Sequence, residues 1–178
     1  DPSDIPLDDP ESFKLMGGGN MDGLFQVEGG LYVSLFGKMP PKRFSDVVAS
    51  IALNRPGPLQ NGFVDDYVDR VSGKKEITYY DDRLRPILEE TYGTIVYQEQ
   101  LMQISMLMCG FSAGKADKLR KAMGHKNMDV MKSLEQDWNE GAGASPAQGP
   151  HRPCGEALAT AWYCLTAVRA GAFLEDGL

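Results

Sequence analysis

Prolines and glycines break this chain into short segments, and their spacing constrains the possible fold more than any other feature of the sequence. Between the breaks, apolar residues recur every three or four positions, as they do along one face of an α-helix. Pro40 and Pro41 interrupt one such pattern, and the Pro56-Gly57-Pro58 run ends another, because proline lacks the amide hydrogen that a helix interior needs. The pattern therefore predicts a fold built from short helices.

Helix caps and breaks place the expected elements along the chain. Asp9 and Pro10 form a helix start, and the glycines at 17–19 end that helix. Further helices are expected at about 31–36, 45–53, 63–71, 94–109, 112–124 and 127–138. A short strand or extended segment is expected at 23–28 and a small strand at 77–80. In the Met-rich helix at 94–109, interpreted as adaptable core, Gln98, Gln100 and Gln103 are expected to lie partly outside the core. The fold class is therefore mainly α with short β segments, an α+β arrangement.

Composition and charge describe a globular chain. Its 178 residues are 42% hydrophobic and 24% charged, which is enough for one sizeable core or two small lobes. A net charge of -7 argues against indiscriminate coating of nucleic acid, since phosphates repel an acidic protein except where cations concentrate. The longest apolar-leaning segment, Ala157 to Ala172, is interrupted by polar residues, so we expect no membrane contact and a cytoplasmic location.

Neither a catalytic group nor a metal site is predicted within the chain. The three cysteines lack the paired spacing of a zinc site, and the two histidines supply no convincing base for a nucleophile. Asp65, Asp66 and Asp69 have a spacing that could hold a divalent ion on one helix face. Because Arg and Lys residues follow them closely, a solvated face of mixed charge is the favoured interpretation.

One segment is cationic within this acidic chain. From Lys115 to Lys132 there are five Lys and one Arg against Asp117 and Asp129. Ser112 is a suitable helix cap, and Gly124 is expected to supply the left-handed residue that ends the helix. The cations then gather near the last turn, which fits either a solvated helix end matched to its dipole or a helix that binds phosphate.

Arg55 is a second candidate for binding phosphate. It lies beside the Pro-Gly-Pro turn, and a guanidinium held on a rigid turn loses little entropy when it binds a phosphate. A surface arginine on a loop remains the alternative interpretation.

Five segments, in this order, resemble the bacterial replicative DNA polymerase III alpha subunit family. They are IPLDDPESFKLM at 5–16, GLFQVEG at 23–29, FSDVVASIALNRPGPLQNGFVDDYVDR at 44–70, ETYGTIVYQEQLMQIS at 90–105 and LRKAMGHK at 119–126. The strings NRPGPL and YGTIVYQEQ are the most specific. The resemblance covers about residues 4–142 and implies that 1–30 form the end of the palm and its connection to the fingers, while 31–142 form part of a helical fingers domain.

The resemblance also implies a function and site residues. The parent protein would be a DNA-directed DNA polymerase that binds template-primer DNA and deoxynucleoside triphosphate (dNTP). Other replisome subunits and the sliding clamp would bind regions outside this chain. The family's basic pair in LRRAMG faces the triphosphate, and the matching residues here are Arg120 and Lys121, with Lys where Arg is usual. Less specific candidates for the nucleotide and template site are Arg55, on the phosphates, and Tyr97, Gln98, Gln100 and Lys126, in the surrounding pocket.

The same resemblance places the metal chemistry elsewhere. The aspartates that hold two Mg²⁺ ions in the family precede this region, so the chain is expected to lack catalysis by itself. Residues 143–178 depart from the family as a Gly-, Pro- and Ala-rich tail, which we expect to be frameshifted or non-native, and the start at Asp1 suggests a fragment. Two other functions remain open: a noncatalytic helical module that binds nucleic acid or phosphate, and a helical protein-interaction scaffold.

Overall fold

The computed structural model describes residues 4–54, 63–79, 81–125 and 127–144, which belong to two compact units that divide between Glu76 and Ile77. The described residues contain eight α-helices and no strand. The first unit holds α1 (Pro10–Gly17), α2 (Gly30–Lys38), α3 (Phe44–Leu53) and α4 (Phe63–Val71). The second holds α5 (Arg85–Leu88), α6 (Gln98–Cys109), α7 (Ala113–Gly124) and α8 (Met128–Ala144). The prediction of a mainly helical chain is confirmed.

Helix α1 begins as the sequence predicts. The Asp9 carboxylate accepts the backbone N–H of Ser12 at 3.0 Å, and Pro10 occupies the first helical position, where no amide hydrogen is needed. The helix ends at the glycine run, with Gly18 as its cap. The core beside it consists of buried apolar side chains from α2, α3 and the segment between α1 and α2: Met21, Val27, Phe36 and Val47.

The strand predicted at 23–28 is wrong. Gly23 has φ 80° and Gln26 has φ 71°, both outside the extended region that a strand requires. Backbone hydrogen bonds from Leu24 to Met21 (3.0 Å) and from Val27 to Leu24 (3.1 Å) fold the segment into successive turns. The second predicted strand is not confirmed, because residues 77–79 belong to no sheet and residue 80 lies outside the described residues.

Three helices form the core of the second unit. Helices α6, α7 and α8 pack against one another in pairs, and α5 packs against α6. Phe111 and Trp138 meet edge to face, with ring centroids 6.0 Å apart and an interplanar angle of 89°. The largest side chains that this core buries come from all four helices and the loop before α5: Leu84, Leu88, Leu101, Ile104, Met108, Leu119 and Trp138.

Two predicted helix boundaries need correction. Helix α6 begins at Gln98, not at Thr94, because the N–H groups of Val96 and Tyr97 bond to the Gln100 side chain rather than to a preceding turn. Gly124 is the last residue of α7 and is not left-handed. His125, with φ -93°, continues the chain after it and donates its N–H to the Lys121 carbonyl at 2.9 Å.

Gly141 allows a close approach between α8 and the end of α6. A Cβ atom at this position would overlap the carbonyl oxygen of Cys109 and lie 2.7 Å from its carbonyl carbon. Backbone cannot yield as a flexible side chain can, so we expect Gly141→Ala to lower the free energy of unfolding by about 1–3 kcal/mol in urea denaturation followed by circular dichroism. The matched control is Gly114→Ala in α7, where nothing lies within 4 Å of the added methyl. Equal stability of both variants would contradict the close packing.

Candidate functional site

The cationic segment forms helix α7, and burial of its apolar face determines which side chains point outward. Ser112 caps the helix by accepting the N–H of Lys115 at 3.3 Å, as predicted. The buried face consists of Ala116, Leu119, Ala122 and Met123. Helical periodicity then leaves the charged residues of the last two turns at the surface.

Asp117 joins the two residues that match the family's basic pair. Arg120 donates from Nε and Nη2 to Asp117 Oδ1 at 3.0 and 2.7 Å. Lys121 Nζ lies 2.8 Å from the other carboxylate oxygen, Oδ2. The spacing of i, i+3 and i+4 places all three on one helix face. We call these three residues the charge cluster.

The charge cluster is partly exposed to solvent. The side chains of Asp117 and Arg120 are each 36% exposed and that of Lys121 is 63% exposed. Ion pairs with this exposure typically contribute little to stability. The pKa of the Asp117 carboxyl lies below its usual value, first because of the hydrogen bond from Lys121 and then because of that from Arg120. The cluster is therefore charged at neutral pH.

An open depression of about 400 Å³ lies between the last turns of α7 and the start of α8. Its lining combines cationic and polar groups with backbone and small apolar surface: Gly114, Asp117, Lys118, Lys121, Ala122, His125, Asn127 and Val130. Asn127 also caps α8, where its side chain accepts the N–H of Val130 at 3.1 Å. The depression thus brings Lys118 and His125 to the same surface as Lys121.

Lys115 occupies a different environment. Its Nζ lies 2.6 Å from Asp137 of α8 and 4.4 Å from the centre of the Phe111 ring. These contacts tie Lys115 between neighbouring elements. Lys115 therefore has a structural role, whereas Lys121, at the depression, pairs with a residue of its own helix.

Gln100 lies inside the second unit. Its side chain is buried, with only 5% of the residue exposed. The Gln100 amide oxygen accepts the N–H groups of Val96 and Tyr97 at 2.8 and 2.9 Å. Its amide nitrogen donates to the carbonyl of Ile87 at 3.1 Å and to the hydroxyl of Thr91 at 2.7 Å. The amide is fully used in holding the start of α6.

Of the other predicted pocket residues, two lie within the described part of the chain and two lie outside it. Tyr97 and Gln98 stand half-buried at the start of α6, beside Gln100. Arg55 and Lys126 lie outside the described residues. The nucleotide-binding role of all of these residues stays a prediction.

The three aspartates of α4 are paired with cations. Asp65 lies 3.9 Å from Lys38 and Asp69 lies 3.8 Å from Lys74, while Asp66 contacts both Arg70 and Lys75. This arrangement supports the interpretation as a face of mixed charge. In the described part of the chain, no group of three or more His, Cys, Asp or Glu side chains could hold a metal ion. Over the same residues, no helix is both long and apolar enough to cross a membrane.

Sequence reasoning grouped the cations of the last turn but missed the contact of Asp117 with Arg120 and Lys121. The i, i+3 and i+4 spacing from Asp117 to Arg120 and Lys121 was the available signal. The net charge of the segment did not reveal this contact, because the Asp117 carboxylate was counted only as one negative charge against the positive total. The approach of Lys118 and His125 to the start of α8 depends on tertiary packing and has no such local signal.

Comparison with known proteins confirms the family resemblance, which covers most of the chain. Residues 1–145 match the bacterial DNA polymerase III alpha subunit finger domain. The chain is 46% identical over 139 residues to the DNA polymerase III subunit alpha of Aquifex aeolicus, and 47% identical over 138 residues to that of Campylobacter jejuni. It is 43% identical over 143 residues to the subunit of Escherichia coli K12. Each match covers 78% of this chain and 12% of the relative's length.

We expect Gln100→Ala to lower the free energy of unfolding by about 2–3 kcal/mol, because it removes four hydrogen bonds and leaves buried groups without partners. Urea denaturation followed by circular dichroism measures the change. Gln103→Ala is the matched control, since Gln103 is exposed on the same helix and its loss should change stability by less than about 0.5 kcal/mol. Similar values for the two variants would show that the Gln100 network is not formed in solution.

We expect the pKa of Asp117 to rise toward its usual value when both cations of the charge cluster are neutralised by Arg120→Gln and Lys121→Gln. In the unaltered chain the ion pairs persist at neutral pH and are lost as the pH falls through the lowered pKa. NMR titration of ¹³C-labelled aspartate carboxyl groups measures this. Lys132→Gln, which removes a charge from exposed α8 surface, should leave the Asp117 titration nearly unchanged. An unaltered titration in the double variant would exclude the cluster.

Proposed function

Because the chain belongs to the finger domain family of bacterial DNA polymerase III alpha subunits, we propose that its parent is a DNA-directed DNA polymerase of DNA replication. Within that parent, Arg120 and Lys121 bind the phosphates of the incoming dNTP. Residues 1–30 form the end of the palm and its connection to the fingers, and residues 31–142 form part of the fingers. The parent carries out DNA-templated nucleotidyl transfer.

The charge cluster is the observation that carries this proposal. Two cationic heads from adjacent residues already converge on one anion, the Asp117 carboxylate. A phosphate offers the same kind of oxygen acceptors with more charge, so the same two heads can bind it by charge-assisted hydrogen bonds. Arg120 supplies two donors in a planar fork, while Lys121 acts as a point charge. Fixed positive charge of this kind stabilises the charge that develops on a transferring nucleotide.

The surroundings of the cluster favour a polyphosphate over a single phosphate. Lys118 lines the depression together with Lys121, which extends the cationic surface along α7, and the His125 imidazole adds a hydrogen-bonding group to the same lining. A triphosphate spans several such contacts, whereas one phosphate group satisfies only one or two. The exposure of Lys121 leaves its head accessible to a ligand from solvent.

Metal chemistry, in this proposal, comes from residues outside the chain. The parent uses Mg²⁺ to activate the attacking hydroxyl and to neutralise the leaving pyrophosphate. The acidic residues of α4 do not fit this role, since each carboxylate contacts a Lys or Arg side chain. This chain contributes phosphate binding and orientation.

Partners and location follow from the family and not from the described surfaces. The parent binds template-primer DNA, and other replisome subunits and the sliding clamp contact regions not present here. It works in the cytoplasm, where bacterial DNA is replicated. The finger-domain match includes residues 143–145 and ends there. We propose that the tail at 143–178 is frameshifted or non-native. Those residues lie, apart from the end of α8, outside the described part of the chain.

A domain swap into the Escherichia coli subunit tests the phosphate role. The matching region of that subunit is replaced by residues 4–142 of this chain, and primer extension is measured with and without Arg120→Ala and Lys121→Ala. We expect the double substitution to raise the Michaelis constant for dNTP, or lower kcat/KM, by about tenfold or more. Lys132→Ala is the control, because it removes one cation from the exposed surface of α8 and Lys132 does not line the depression.

Unchanged values of kcat and KM for dNTP in the double variant would show that the pair does not bind the triphosphate. Salt dependence distinguishes the noncatalytic alternative. A module that binds the nucleic acid backbone loses affinity for DNA steeply as salt rises and requires no triphosphate.

A further inference from the structure

We propose that Asp117 is a built-in counter-ion that competes with the nucleotide phosphates for Arg120 and Lys121, and thereby sets the affinity of the site. This inference rests on the proposed function, since it assigns a role to Asp117 at the same phosphate site. Asp117 is a positioning residue: it acts through the two cations and donates nothing to the ligand itself.

The geometry makes Asp117 a direct competitor. Both of its oxygens are occupied, Oδ1 by two donors of Arg120 and Oδ2 by Lys121. A phosphate that binds the inward-facing donors must therefore replace the carboxylate. The same contacts hold the two heads side by side before the ligand arrives, which limits the ordering entropy lost on binding.

The exchange is easy because the cluster is exposed. Its ion pairs join residues of a single helix, and solvent reaches all three side chains. Pairs of this kind are weak, so a polyphosphate can replace them at a cost of about a few-fold in affinity. Lys115 provides a contrast, because it is held between Asp137 of another helix and the Phe111 ring and cannot turn toward a ligand without breaking those contacts.

Asp117 also acts by its charge on the depression. It is an acidic residue in a lining that contains Lys118, Lys121 and His125. An anion bound there lies within a few ångströms of the carboxylate and is repelled by it. At the dielectric constant of water, one unit charge about 4 Å away changes affinity by about fivefold.

Binding of inorganic tripolyphosphate to the 178-residue chain tests the inference without the rest of the polymerase. Isothermal titration calorimetry at fixed pH and ionic strength compares the unaltered chain with Asp117→Asn, which keeps the shape and removes the charge. We expect Asp117→Asn to bind about fivefold more tightly. Asp117→Glu, which restores the charge, should return the affinity to within about twofold of the unaltered chain. Circular dichroism verifies that each variant keeps its helix content.

Glu89→Gln is the matched control for total charge. Glu89 is exposed and lies just after α5, outside the cationic helix. We expect this variant to change tripolyphosphate affinity by less than about 1.5-fold, because screening weakens distant surface charges. An increase equal to that of Asp117→Asn would overturn the inference, since net charge alone would then explain both.

The remaining outcomes separate this inference from the proposed function. If Arg120→Ala with Lys121→Ala abolishes binding but Asp117→Asn does not tighten it, the counter-ion role is wrong and the phosphate site stands. If the double variant binds tripolyphosphate as well as the unaltered chain, the proposed phosphate site is wrong. Absence of binding in both the unaltered chain and Asp117→Asn would also overturn the counter-ion role.

Discussion

The second unit depends on one buried side-chain amide, that of Gln100. Its oxygen accepts two backbone N–H groups just before α6, and its nitrogen donates to the Ile87 carbonyl and the Thr91 hydroxyl. A single residue therefore joins the start of α6 to the end of α5 and the turn after it. A buried polar group without partners costs about 1–3 kcal/mol, so the network favours one geometry strongly. Because α7 and α8 pack on α6, the position of the cationic helix follows from this network.

Burial then decides which side chains α7 presents to solvent. Leu119, Ala122 and Met123 contribute to the core, and the residues between them face outward. The short string LRKAMG thus contains two kinds of residue with different physical roles. Its apolar members fix the orientation of the helix, and Arg120 and Lys121 receive their position from that packing.

Local signals in the sequence predicted much of the fold. Asp9 with Pro10 and the glycine run after α1 each act within one helical turn, and both are found in the structure. The segment at 23–28 was mispredicted because Phe and Val favour strands, whereas turns that bury Met21 and Val27 determine its backbone. The start of α6 was placed too early because the Gln100 side chain accepts the N–H groups of Val96 and Tyr97, a contact that apolar periodicity does not reveal.

The candidate site, like the fold, was predicted only in part from the sequence. Arg120 and Lys121 were identified from the sequence and lie together in the structure, but their shared contact with Asp117 required side-chain geometry. Gln100 and Asp117 show how burial and charge determine what a hydrogen-bonded polar residue does. Gln100 is neutral and buried with every hydrogen-bonding group satisfied, so it stabilises one structure. Asp117 is charged and exposed, so its bonds are weak and exchangeable. Under the proposed counter-ion role, a cluster of this type gives up its internal anion for a phosphate while the core beneath it stays unchanged.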